Sequence, residues 1–235
     1  VLMSAASAQL IRDGNIQQAK ALVEKTASIS FTDPVRMAEK GMMRLSLDDL
    51  EGLTDLERAL SLNPELDSAN TALALGYIDG GLYNEALELA DVWISQKPDQ
   101  VNGYVLAALA YSKLTQLTDA EAMYNKALEI DLGNPAANLY FADKAVAQQK
   151  PAQAITFLER VINAYPNYIP VLSKYFVLQQ DSGNVEDGLA PITTAFSSNQ
   201  QNLNYRFLYA RALFTAKRYT STIELLEAVE ANDQT

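Results

Sequence analysis

Ala86, Ala120 and Ala154 stand 34 residues apart, and Pro64, Pro98 and Pro166 fall on the same frame. A period of this length, marked by small residues and helix-ending prolines, means stacked helical hairpins, each unable to bury its apolar face without a neighbour. The 235 residues therefore count repeats rather than globular domains. Units fall near 33–66, 67–100, 101–134, 135–168, 169–202 and 203–235, after a less regular one in 1–32. The expectation is an all-α chain of about seven antiparallel hairpins in a single array over 1–235.

Local chemistry agrees with the frame. Asn70, Leu73, Ala74 and Tyr77 share one helical face, at the spacing that marks an amphipathic helix. Gly80-Gly81 supplies the turn, and Ala86, Ala90 and Trp93 belong to the second helix. Lys97-Pro98 ends that helix, because the residue before a proline is driven from helical geometry. Thr118-Asp119-Ala120-Glu121 reads as a capping box. Pro135, Pro151 and Pro170 stand at helix starts, where first-turn amides lack an intrahelical acceptor. Pro191 falls inside a second helix, which predicts a delayed start or a kink. In 33–66, Gly52, Leu56, Ala59 and Pro64 fit the second helix, but the first helix is one residue short, with Gly41 a place late. In 1–32, Gly14-Asn15 reads as the turn and Ala19, Val23 and Thr26 as the helix after it, so the chain opens within a first helix.

Composition narrows the function. There is no histidine and no cysteine, which removes the commonest general base, the commonest metal ligand and every thiol chemistry. No catalytic residue, cofactor or metal site is expected, and an enzyme reading is disfavoured. The formal charge is −11, and residues 67–132 carry 3 basic against 10 acidic side chains, a balance of 3 − 10 = −7. Nucleic acid and anionic membrane are repelled by such a surface. Half the residues are hydrophobic (49%), yet none of the apolar runs approaches the roughly 20 residues that span a bilayer. The chain begins at Val1 with no basic segment leading into an apolar stretch, so no signal peptide is read, and it is expected to be a piece of a longer protein.

Single residues that invite a chemical role mostly read as structure. Trp93, the sole tryptophan, is expected in the core, paired with a small Ala90 so that volume is kept. Most of the twelve tyrosines take packing positions of the repeat, while Tyr165 and Tyr168 flank Pro166 and read as surface groups. Asp48/Asp49 and Glu186/Asp187 lack the alternating ligand loop that calcium requires and read as solvated helix ends. Neither a phosphate loop nor a nucleophile elbow is present.

The patterns Tyr77…Tyr83…Ala86…Pro98 and Tyr104…Tyr111…Ala120…Tyr124…Ala127 resemble the tetratricopeptide repeat (TPR). The resemblance implies a right-handed α-solenoid whose first helices line a concave groove for a protein or peptide. It nominates, position by position, Thr71, Leu75 and Ile78; Val105, Leu109 and Ser112; Leu139, Asp143 and Val146; Ser173, Val177 and Gln180; and Phe207, Arg211 and Phe214. The lining is mainly apolar. Family members that clamp chaperone C-termini need lysine where Thr71 and Val105 stand, so that ligand is disfavoured. The unit 169–202, with Tyr175, Phe176, Gln179, Gly188, Ile192 and Ala195, departs furthest from the family pattern in the second half.

The run Gly103 to Tyr111, with Tyr124 to Asp131 and Pro135 to Leu139, also looks like bacterial exosortase-associated TPR lipoproteins. That resemblance implies a periplasmic or envelope location and a role in protein sorting or exopolysaccharide production. The reading is a non-enzymatic scaffold that holds a partner in an apolar groove; the alternative is a spacer or self-assembling segment of a larger protein.

Overall fold

The structure, a computed structural model, describes residues 6, 9–10, 14–27 and 31–230. Among the described residues the regular structure is entirely helical. It comprises α1 (Ile16–Ala27), α2 (Pro34–Leu45), α3 (Glu51–Leu62), α4 (Asp67–Asp79), α5 (Tyr83–Gln96), α6 (Val101–Lys113), α7 (Leu117–Ile130), α8 (Pro135–Ala147), α9 (Pro151–Ala164), α10 (Ile169–Asp181), α11 (Val185–Ser198), α12 (Leu203–Thr215) and α13 (Tyr219–Glu230). Neighbours in sequence pack as antiparallel hairpins, and first helices of successive hairpins touch, α2 with α4, α4 with α6 and α10 with α12. Contacts divide the chain into two compact units, residues 1–126 and 127–235, each described by itself.

One turn recurs throughout. Gly81, Thr115, Gln149, Gly183 and Lys217 all take φ between 58° and 82° and follow one another at the 34-residue period. The residue after each donates its amide to a carbonyl five places back, as Leu82 to Tyr77 at 2.7 Å and Lys150 to Ala145 at 2.9 Å. This left-handed closure satisfies carbonyls that the ending helix leaves free. Gly14 repeats it, with φ 75° and Asn15 bonded to Leu10 at 2.8 Å, so Gly14-Asn15 is the turn that the sequence predicts. Ala19 and Val23 are buried on α1 behind it, whereas the first-helix segment before Gly14 and the Thr26 side chain lie largely outside the described residues.

In 33–66 the frame needs a correction. From the N-cap Asp33 to the left-handed Asp48 is as far as from Leu66 to Gly81, so Gly41 takes the place of Ala74 and is not late. The missing residue lies between Asp48 and Gly52, in the connection to α3. That shortened turn draws the two backbones together: a Cβ on Gly41 would lie 2.7 Å from the Gly52 carbonyl, and one on Gly52 2.5 Å from that of Gly41. Arg44 closes the same turn, its guanidinium bonded to Asp49 at 2.6 Å, to Asp55 at 3.2 Å and to Glu51. Burial opposes its charge, yet these bonds outweigh that cost and hold its pKa above the ordinary value. Asp49 is therefore a partner of Arg44 rather than a merely solvated carboxylate.

The first turn of most first helices makes a second recurrent bond, to the connection six residues earlier. Asn70 donates to the Pro64 carbonyl at 2.9 Å, Tyr104 to Pro98 at 3.0 Å, Asn138 to Leu132 at 2.9 Å and Arg206 to Gln200 at 2.9 Å. Three residue types thus fasten each unit to the one before. Leu172 holds the equivalent place and cannot donate; there Tyr205 donates to the Asn167 carbonyl at 2.6 Å instead.

Apolar layers lie between successive hairpins. In the first unit they are built on Met37, Leu56 and Leu73 and on Trp93, Leu106 and Ala107; in the second, on Leu158, Val171 and Tyr175 and on Phe176, Ile192 and Leu208. Trp93 is in the core as expected, its indole N–H donating to Gln100 at 3.3 Å. One sequence expectation fails and another is narrowed. α7 begins at Leu117, so Thr118 stands inside the first turn and not at the cap. α11 runs from Val185 through Pro191, so of the delayed start or kink expected there the delayed start is absent, and the proline, lacking an amide proton, leaves the carbonyl of the exposed Asp187 without its helical partner.

Candidate functional site

The nominated residues all sit on first helices, and the two units treat them differently. On α4, Thr71 turns its hydroxyl back to the Asp67 carbonyl at 2.9 Å, and Leu75 is exposed. Ile78 is buried against Ala86 and Ala110; it belongs to the core, because α5 and α6 close over that turn of α4, and it is withdrawn from the groove. On α6, Val105 is half-buried and Leu109 packs on that same cluster, while Ser112 donates to the Ala108 carbonyl at 2.8 Å. The first unit has mostly spent its lining on its own fold.

The second unit has not. Val146 on α8, Val177 on α10, and Phe207 and Phe214 on α12 are exposed, the two phenylalanines at 57% and 61%. Phe207 and Phe214 are seven residues apart and so share a helix face, with Arg211 between them. Phe214 also meets Tyr219 edge to face, ring centroids 5.4 Å apart. Leu139 packs onto the Leu158 cluster, and Gln180 is half-buried.

Polar bridges fix the spacing of these helices. Lys174 of α10 pairs with Asp143 of α8, and Arg211 of α12 donates to the Ser173 hydroxyl of α10. Arg218 reaches Glu186 at 2.5 Å on the hairpin behind, so Glu186 is paired. Asp143, Ser173 and Arg211 thus act first as struts between helices. Lys174 and Tyr219 were invisible to sequence reasoning, since their partners lie 31 residues away or across a turn and no local pattern announces either.

A shallow cleft in the first unit, about 270 Å³ between α3, α4 and α5, is walled by Leu60, Leu73, Leu89, Val92 and Trp93 with Glu57 and Lys97 at its rim. Lys97 is paired with Asp67 at 2.5 Å and Tyr77 with Glu57 at 2.7 Å, so its polar edge is already engaged. Tyr165 and Tyr168 are exposed as expected, the Tyr165 hydroxyl donating to Asp131 at 3.1 Å; that bond, then burial, raises its pKa. No group of acidic side chains that could hold a metal occurs among the described residues, and no helix among them is long and apolar enough to cross a membrane.

Residues 113–175 match the family model of the tetratricopeptide repeat. Solved structures repeat the fold over most of the chain. A thermophilic TPR protein of Thermus thermophilus superposes with TM-score 0.57 at 22% identity, covering 77% of this chain and 99% of its own. A tetratricopeptide repeat protein of Parabacteroides merdae covers 97% of this chain and 91% of its own, with TM-score 0.51 at 17% identity. PilF of Pseudomonas aeruginosa covers 89% and 96%, with TM-score 0.55 at 13% identity. No curated protein sequence matches the chain.

Proposed function

From the premise that this is a chain of tetratricopeptide repeats, we propose that it is a non-enzymatic scaffold that binds a protein or peptide segment on the first-helix face of residues 127–235. A fold of this kind generally mediates protein–protein interaction. The observation that carries the assignment to this face is the exposure of Val146, Val177, Phe207 and Phe214 on three first helices, which bridges from Asp143 and Arg211 hold in register. Large side chains kept exposed on a rigid surface lower the ordering cost of binding, and exposed aromatics in such a setting are the usual energetic centres of an interface. The ligand they suit is an extended or helical segment with bulky apolar anchors. An envelope location and one continuous right-handed array over 1–235 belong to the same proposal, resting on the sequence resemblance and the 34-residue period.

Selection of peptides from a displayed library on the immobilised protein tests it. Enriched peptides carry bulky apolar residues, and Phe207→Asp or Phe214→Asp weakens them more than about tenfold while the helical circular dichroism is kept. Retention of the same peptides by both variants would remove the ligand from this face.

A further inference from the structure

The seams between successive hairpins differ in what fills them. On the first helices α8, α10 and α12 an aromatic ring holds one place of the repeat, as Phe141, Tyr175 and Tyr209. Phe141 stacks on Phe157, ring centroids 5.5 Å apart, and the Arg160 guanidinium lies over the Phe157 ring at 5.1 Å. Tyr209 stacks on Phe196 at 4.9 Å. On α4 that place is held by Leu73, and the counterparts of Phe157, Arg160 and Phe196 in its seam are Leu89, Val92 and Leu60. All four of these aliphatic side chains wall the cleft of about 270 Å³ between α3, α4 and α5. The large ring of the same seam, Trp93, packs inward against Ala74, Leu106 and Ala107. Val92 at the cleft wall is 52% exposed, whereas Phe157 and Arg160 at the matching places are half-buried.

The walls state the chemistry of an occupant. An apolar cavity of about 150 Å³ takes benzene, so the cleft has room for one aromatic side chain, the group that fills the matching seams of the second unit. Its surroundings set the charge beside that ring. The helices α3, α4 and α5 carry eight acidic side chains against one basic, Arg58. Glu85 and Glu88 are exposed and precede Leu89 and Val92 by one helical turn, which puts each on the same side of α5 as the wall residue after it. Glu57 at the rim accepts from Tyr77 at 2.7 Å; after burial and Glu57, Glu85 also raises the pKa of that phenol, so it stands close by. Lys97 at the rim is bonded to Asp67. A field of this sign attracts a basic side chain and repels a second copy of the chain, whose formal charge is −11.

We infer that this cleft is a docking site for a protein segment that inserts one aromatic side chain between α3 and α5 and brings an arginine beside it. The segment reproduces, across an interface, the pair that Phe157 and Arg160 form within the second unit, its guanidinium lying over the ring and toward Glu85 and Glu88. The site uses side chains of residues 1–126 and stands independently of Phe207 and Phe214.

The probe is a displayed library of short random peptides without tryptophan, selected on the immobilised protein. Enriched peptides are synthesised and titrated while the emission of Trp93 is followed, since it is the sole tryptophan and part of the cleft wall. Peptides with an aromatic residue next to arginine are expected to alter that emission and to bind Phe207→Asp as they bind the parent chain. Their affinity is expected to fall more than about tenfold on Leu89→Phe/Val92→Arg, which moves the second unit's pair into the cleft. Val92→Arg alone repeats the block at an exposed position, and each variant is first matched to the parent chain in helical circular dichroism. Glu85→Gln/Glu88→Gln is expected to weaken the same peptides about threefold at low salt. Enrichment of no peptide that alters Trp93 emission, or full binding by both blocked variants, overturns the inference. Loss of binding on Phe207→Asp overturns it by moving the peptides to the first-helix face. Indifference to the glutamine exchanges removes the arginine, and a dimer in sedimentation that Val92→Arg dissolves gives the cleft to a second copy.

Discussion

In the hairpin α2–α3 the two backbones touch at Gly41 and Gly52, where any Cβ would collide with a carbonyl. In α8–α9 the same two places are held by Ala142 and Ala154, both fully buried, and in α10–α11 by Phe176 and Gly188. The repeat therefore specifies a shared volume, not a residue at each position: a Cβ on Gly188 would meet Phe176 at 3.2 Å, so the ring takes the space that two alanines fill elsewhere. The hairpins also differ in what closes them. α2–α3 uses the carboxylates around Arg44, whereas α8–α9 relies on the apolar cluster of Leu158 and Val161.

The sharpest way to break this contrast is to add volume where backbones meet. Gly41→Val is expected to cost about 3 kcal/mol, since a main-chain carbonyl cannot move aside as a side chain can; denaturant unfolding measures it. Arg44→Met follows, at about 2 kcal/mol, because three carboxylates lose one donor but remain open enough to regain water. The α8–α9 hairpin is packed on its apolar cluster. There the equivalent test is Asn138→Ala, expected to cost about 1.5 kcal/mol, as a fully buried amide and the Leu132 carbonyl lose their bond.

Smaller and opposite in sign is Thr115→Gly. A β-branched residue at φ 61° stores about 1 kcal/mol of backbone strain, so the variant is expected to unfold at a higher temperature, whereas Gly81→Thr at φ 78° lowers it. At alkaline pH, Tyr77, Tyr111 and Tyr175, whose pKa values are raised by burial first, and Tyr165, raised first by its bond to Asp131, resist ionisation while folded. The stability they contribute is intact below the ordinary tyrosine value of about 10 and is lost as pH rises through the higher folded values, since the unfolded chain releases protons first. Unfolding midpoints across that range check it; a flat profile would mean that the phenols are solvated.

The hairpin pattern was legible because it is periodic and local: small residues at Ala86, Ala120 and Ala154, and prolines at helix boundaries, each act through the backbone beside them. The turn residues were only half legible. Gly14, Gly81 and Gly183 announce a left-handed backbone and Asp48 is of a type that tolerates it, but Thr115, Gln149 and Lys217 adopt it without a residue type that favours it. Packing of the flanking helices imposes it on them.

The groove shows the same limit. Counting positions places the nominated residues on first helices, yet it cannot separate Ile78, which the core consumes, from Phe214, which remains in solvent. The sequence by itself determined the hairpins and their order, since period, turns and helix starts depend on neighbours within a few residues. Only the tertiary structure decided the shortened turn at Asp48–Gly52, the bridges from Asp143 to Lys174 and from Ser173 to Arg211, and which apolar side chains stay exposed. These depend on how one hairpin lies against the next, where partners are set by three-dimensional fit rather than by spacing along the chain.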